Sequence, residues 1–225
     1  MSHKDKKEKV CIKARKVFDW VTRQVDLPVI SKSDDNLKDF FKCDGTTIED
    51  ICAFLDQQND PNDFTVLCKI DEDSIICQEI IQPEGRLNVT VTLPNGDEVT
   101  LQKVKVLVKG LANIFILDEN DKVICKSKKP ITFVTAQTFI LCAPNGTDVE
   151  CEVTFSECDA SLICTDDFQQ LDVSITLCLD VQVEADVKLE VEAKICKPRE
   201  EDIQAIDICP DKKFPPQCPE VFPAR

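Results

Sequence analysis

The longest regular pattern in the chain covers residues 171–196. Every odd position there is apolar, from Leu171, Val173, Ile175, Leu177 and Leu179 through Val191, Ala193 and Ile195, and every even position is polar, charged or cysteine. Side chains of a strand alternate between its two sides, so this stretch has one dry face and one wet face. Unbroken, it would extend roughly 85 Å at about 3.3 Å per residue, several times an ordinary strand. The pattern therefore predicts a break near residues 184–186, giving a two-strand meander, or a single strand that runs past its domain into a neighbour.

Alternation of the same period begins after Arg86, with Leu87, Val89, Val91 and Leu93 set against Asn88, Thr90 and Thr92. Pro94-Asn95-Gly96-Asp97 then predicts a tight turn, because Asn-Gly tolerates positive φ, with 99–108 returning antiparallel. In that return the apolar phase moves from odd (Val99, Leu101) to even (Val104, Val106, Val108), which predicts a bulge near Gln102. Further hairpin turns are predicted at 118–121 and at Pro144-Asn145-Gly146-Thr147. This second Pro-Asn-Gly, fifty residues after the first and again followed closely by a valine, reads as a trace of duplication.

Upstream, 46–57 predicts a helix: Thr46 and Glu49 have capping-box spacing, and Ile48, Ile51, Cys52 and Leu55 share a face. Short strands follow at 64–70 and 74–81. Residues 10–30 fit either an amphipathic helix or a strand ending at Pro28. Trp20, the only tryptophan, is expected to pack this arm against the body or a neighbour. Six of the twelve prolines follow Lys197, which predicts an extended strap fixed by Cys209 and Cys218.

These elements predict a mainly β protein with a small α-containing region. The expected organisation is a basic arm (1–35), a small mixed α/β region (36–85), an antiparallel, sandwich-like β domain (86–197) and a Pro/Cys-rich strap (198–225). A hydrophobic fraction of 43% over 225 residues is enough for a packed core. The net charge of −15 argues against nucleic acid or an anionic membrane surface as partner. Charge is unevenly placed: residues 1–23 hold eight Lys or Arg against Asp5, Glu8 and Asp19, a net of about +5, leaving about −20 for the rest. A basic arm on an acidic body makes Lys13, Arg15, Lys16 and Trp20 candidate assembly contacts between copies.

No apolar run reaches the length of a membrane span, and residues 1–9 are too polar for a signal peptide, so synthesis in a cytosol is expected. Fourteen cysteines fit poorly with a reducing compartment. Oxidation after the producing cell lyses would reconcile the two; an upstream leader or metal binding by the thiols are the alternatives. Cys43 and Cys52, Cys68 and Cys77, Cys142 and Cys151, and Cys209 and Cys218 are each nine residues apart. Cys142 and Cys151 flank the second Pro-Asn-Gly, so a hairpin there would set them face to face for a disulfide. Cys178 and Cys196 lie on the wet face of the long alternating segment, where they suit links between chains or pairing with Cys158 or Cys164. Cys11 is a further cross-linking candidate. Zinc sites normally bring a C-x2-4-C pair, which is missing, and His3 is the only histidine, so no metal and no cofactor are expected.

G-x-S-x-G, P-loop, G-x-G-x-x-G and H-E-x-x-H motifs are missing too, and five glycines leave little for anion-cradling loops. No catalytic residue is expected. Asn88-Val-Thr and Asn145-Gly-Thr match glycosylation sequons, which matter only in a eukaryotic secretory pathway.

Val106 to Leu117 (VLVKGLANIFIL), the turn that follows, Lys128-Lys129-Pro130-Ile131-Thr132-Phe133 and the valine-rich alternating end resemble the SPOCS-type domain of spore coat and spore-morphogenesis proteins. The resemblance covers about 90 residues, 104–195, and rests on structural motifs. Lys16-Val17-Phe18-Asp19-Trp20 is similar to the opening of exosporium-like spore proteins. The resemblance implies a β-rich, non-catalytic protein made in the mother-cell cytosol. It would act at the spore surface as a homo-oligomeric layer or fibre, with other spore-surface proteins as further partners. The rival expectation is a secreted or surface-displayed β binding module with internal disulfides only; a metal-buffering thiol protein is the third.

Overall fold

A computed structural model of the chain describes residues 8–57, 64–92, 94–165 and 168–193. Two compact units are distinguished, the body Lys13–Leu189 and a smaller unit of Met1–Ile12 with Glu190–Arg225. In the smaller unit Lys9 Nζ meets Glu190 Oε1 at 2.8 Å on the surface. The strap expected at 198–225 lies outside the described residues.

The protein is mainly β and antiparallel. Among the described residues the strands are, in chain order, β1 (Glu8–Asp26), β2 (Ile30–Ser33), β3 (Phe41–Cys43), β4 (Thr46–Ile48), β5 (Thr65–Glu79), β6 (Leu87–Thr92), β7 (Glu98–Leu117), β8 (Val123–Ser127), β9 (Ile131–Leu141), β10 (Asp148–Cys164) and β11 (Gln169–Ala193), with one α-helix, α1 (Ile51–Asp56), and a 3-10 turn at Asp34–Asn36. One sheet has the order β1-β11-β10, with β2 continuing along β11. A larger sheet has the order β4-β3-β8-β7-β5, with β6 and β9 also on β7. Residues 36–85 therefore place β3, β4 and β5 in the same sheet as β6–β9.

The 10–30 segment is a strand, and Pro28, which cannot donate to a ladder, separates β1 from β2. The helix is shorter than the capping-box spacing predicts. Thr46–Ile48 is β4, and Asp50 is the cap, its carboxylate accepting from Ala53 N at 2.9 Å. Ile51, Cys52 and Leu55 are buried as the shared face requires. The strands expected at 64–70 and 74–81 are one strand, β5, interrupted by a bulge between Asp71 and Ile76.

β11 is a single strand with no turn at 184–186. Its residues Leu171, Val173, Leu177, Leu179, Val181 and Val183 are fully buried. They face the even side of β7 (Val104, Val106, Val108, Ala112, Ile114, Ile116) and the odd side of β9 (Ile131, Phe133, Phe139, Leu141) in one core between two sheets. Gly110 leaves the space that the Phe133 ring occupies: a Cβ there would stand 2.5 Å from Phe133 Cζ. The turn at Pro94–Asp97 joins β6 to β7 in continuous register from Leu87↔Lys103 to Thr92↔Glu98, with no bulge at Gln102. The change of apolar phase has another cause: Val99 and Leu101 lie on the outer side of the sheet, and from Val104 onward the even residues enter the core. The turn at 118–121 joins β7 to β8, with Asp121 at φ 58°.

Candidate functional site

The second Pro-Asn-Gly turn forms, with Thr147 N donating to Pro144 O and Gly146 at φ 87°, but it makes no hairpin. β9 pairs with β7 and β10 with β11, so residues 142–147 cross from one sheet to the other. Cys142 and Cys151 are thereby separated; Cys142 carries no disulfide and Cys151 is bonded to Cys77.

None of the nine-residue pairs within the described residues is a disulfide. The bonds are Cys43–Cys125, Cys52–Cys164, Cys68–Cys158 and Cys77–Cys151, with Cα–Cα distances of 4.1, 5.6, 5.4 and 5.4 Å. Cys68 and Cys77 lie along one strand, too far apart to bond each other, and the crossover parts Cys142 from Cys151; whether both β5 cysteines can instead reach β10 is a matter of parity. Nine is odd, so in a regular strand Cys68 and Cys77 would point to opposite sides of β5. The bulge at 71–76 restores the phase, leaving Cys68 opposite Ile114 and Cys77 opposite Val108, both inward. On β10 the seven-residue separation of Cys151 and Cys158 is likewise odd. A second bulge between Val153 and Phe155 sets them opposite Val181 and Ile175, both inward. Two bulged edge strands, one from each sheet, are thus stitched by two disulfides into a covalent seam. Cys43 and Cys125 sit directly opposite each other on β3 and β8, and Cys52–Cys164 ties α1 to the end of β10. The pairing of Cys125 had no signal in the sequence, because its own strand has five residues and β3, which carries Cys43, only three, too short to alternate visibly.

Arg86 holds the crossover at the same end. Its guanidinium is bidentate to Glu79 at 2.7 and 2.9 Å and donates to Ala143 O, Thr147 O and Thr147 Oγ1 at 3.2, 3.0 and 2.8 Å. Both side chains are largely shielded, and the bonds to Glu79 raise the Arg86 pKa.

Among the described residues Cys11 and Cys142 are exposed and Cys178 half-buried, and none of the three is disulfide-bonded. Cys178 does not reach Cys158 or Cys164, which have other partners. Cys196, Cys209 and Cys218 lie outside the described residues. The basic residues of the arm are engaged within the chain: Lys13 Nζ pairs with Asp186 at 2.7 Å, Arg15 pairs with Glu184 and with Glu150 at 3.5 Å, and Lys16 Nζ lies 4.7 Å from the Phe18 ring centroid. Trp20 does not pack the arm on the body; it is 66% exposed. No protein-family model, curated protein or solved structure matches this chain.

Proposed function

We propose that this chain is a non-catalytic structural protein that self-associates and becomes cross-linked by disulfides into a layer or fibre at the surface of a bacterial spore. The observation that carries the reading is how the sulfur is divided. Eight cysteines are used up in four bonds that brace one fold, while Cys11, Cys142 and Cys178 keep accessible or half-accessible thiols. Joining two such thiols releases two electrons and two protons, which dissolved oxygen accepts directly or a small-molecule disulfide accepts by exchange. Four braced disulfides require an oxidising setting, which lysis of the mother cell supplies. The SPOCS-type resemblance over 104–195 supports the spore surface as the place. A secreted or surface-displayed binding module is the second reading, favoured by the internal character of all four bonds.

The test is electrophoresis of air-oxidised protein with and without reductant. Covalent multimers that collapse to one chain only with reductant are expected, and capping the thiols with iodoacetamide beforehand should abolish them. A single-chain band under every condition, with thiol titration finding no free sulfur, would establish the second reading instead. A tagged copy made in the mother cell of a spore former should be found on the spore by immunogold labelling; label confined to the medium overturns the location.

A further inference from the structure

The two outer faces of the body carry opposite charge. On the larger sheet the outward residues of β7 are the odd ones, and register places Ile76, Leu67 and Lys69 of β5, Leu87 of β6, Lys126 of β8 and Val134 and Ile140 of β9 on the same side. Lys42 of β3, opposite Lys126, joins them. Among the positions that the register places, this face bears Lys42, Lys69, Lys103, Lys105, Lys109 and Lys126 against Asp71, on a chain of net charge −15. Between the lysines lie uncovered apolar side chains: Val134 is 60% exposed, Leu87 52% and Leu67 45%.

On the other sheet, outward positions are the even residues of β11 and their partners on β10. Glu150, Glu152, Glu157, Asp159, Asp172 and Asp180 lie there. At the β1 end of this sheet Arg15 pairs with Glu150 and Glu184, and Lys13 with Asp186. Asp180 Oδ1 is itself buried and has no hydrogen-bond partner. Phe155, outward opposite Cys178, is 53% exposed.

We propose that a second copy of this chain is the occupant of the lysine face, docked through its own acidic face. Lys103 and Lys105 on β7, and Glu150 and Glu152 or Glu157 and Asp159 on β10, repeat every second residue, about 7 Å apart, so the charge rows of the two faces share a period. Exposed apolar side chains on both faces supply the dry contact that surface ion pairs alone do not. The contact joins unlike surfaces, so each added copy presents a fresh acidic or lysine face, and the assembly is an open stack rather than a closed dimer. The inference rests on the self-association part of the reading above and not on its cross-links.

The test uses full-length protein with free thiols capped by iodoacetamide without reduction, so that the four disulfides stay and no new one forms. In sedimentation velocity at roughly 20 mM salt, species should grow with concentration, and should shrink to single chains as salt screens the faces. Lys69→Glu/Lys105→Glu/Lys109→Glu takes the six lysines and Asp71 of one face from about +5 to about −1, and Glu152→Lys/Glu157→Lys/Asp159→Lys takes the six named carboxylates of the other from −6 to about 0, so each variant keeps one native face and loses the field of the other. Each variant alone should associate at least about tenfold more weakly than wild type, and an equimolar mixture should recover association as a pair joined through the two unaltered faces. All six positions are on the surface, and circular dichroism checks that the variants fold. Capped wild type that stays monomeric at low salt overturns the proposal, as do variants that assemble like wild type or a mixture that fails to pair. So does a lysine face that retains an added polyanion while copies ignore one another. Capped protein that stacks, with uncapped protein forming no covalent multimers on oxidation, would leave docking standing and remove the cross-links; capped protein that stays monomeric, with uncapped protein forming covalent multimers, would do the reverse.

Discussion

Arg86 concentrates more polar contact than any other side chain described, and its position explains why. The chain leaves one sheet at Leu141 and enters the other at Asp148, and between them carbonyls have no strand to pair with. Arg86 supplies donors to two of those carbonyls and to the Thr147 hydroxyl while Glu79 neutralises it. Removing the guanidinium strands the mostly shielded Glu79 charge as well as the crossover carbonyls. Arg86→Met is expected to cost about 3 kcal/mol in denaturant unfolding under non-reducing conditions. Arg86→Lys should recover only part of the loss, because an ammonium cannot reproduce the bidentate fork. Nothing in the sequence marked this arginine, since its five bonds reach residues up to 61 positions away. The cysteines were conspicuous, yet their pairing was not legible: the odd separations of Cys68 and Cys77 and of Cys151 and Cys158 are each brought into phase by a bulge, the first of which the sequence showed only as a break between two expected strands and the second not at all.

At the scale of elements, β11 organises the smaller sheet, and three carboxylates hold the N-terminal strands to it. Asp26 of β1 accepts from the Thr176 hydroxyl at 2.8 Å, Asp172 of β11 accepts from the Ser31 hydroxyl of β2 at 2.5 Å, and Asp186 pairs with Lys13 at 2.7 Å. Each is held below the usual carboxylate range: Asp26 by Thr176 and then Gln24, Asp172 by Ser31 and then Gln170, and Asp186 by Lys13. A depressed carboxylate contributes stability that is present above its unfolded pKa, near 4, and is lost as pH falls through the lower folded value. Acidification below about pH 4 should therefore loosen β1 and β2 while the disulfide seam, which acid does not cleave, holds β5 to β10. Hydrogen exchange would detect this as faster exchange in β1 than in β7, and Trp20, exposed in β1, is a fluorescence reporter of the same step. The two faces of β11 were legible, because its alternation leaves no competing period, but its extent was not: a break near 184–186 was expected and the strand runs through it. The Pro-Asn-Gly turns illustrate the limit: both are turns, but local chemistry specifies only that the chain reverses, and the sheet it enters afterwards is chosen by long-range pairing.

For the whole molecule, the order of copies decides which thiols can meet. Cys178 is outward on β11, on the acidic face, and Cys142 is the exposed residue directly after β9, whose outward row belongs to the lysine face. If the lysine face of one copy meets the acidic face of the next, two Cys178 residues are kept apart, because pairing them would press two rows of carboxylates together. Oxidised multimers digested without reduction and mapped by mass spectrometry should therefore contain Cys178 linked to Cys142 and lack Cys178 linked to itself. Cys142→Ser should then leave Cys178 as a free thiol and shorten the covalent ladder, while raising salt during oxidation should suppress the unlike link by dissolving the stack first. A ladder built mainly on Cys178–Cys178 would mean that copies meet through like faces, and the open stack would give way to a closed pair.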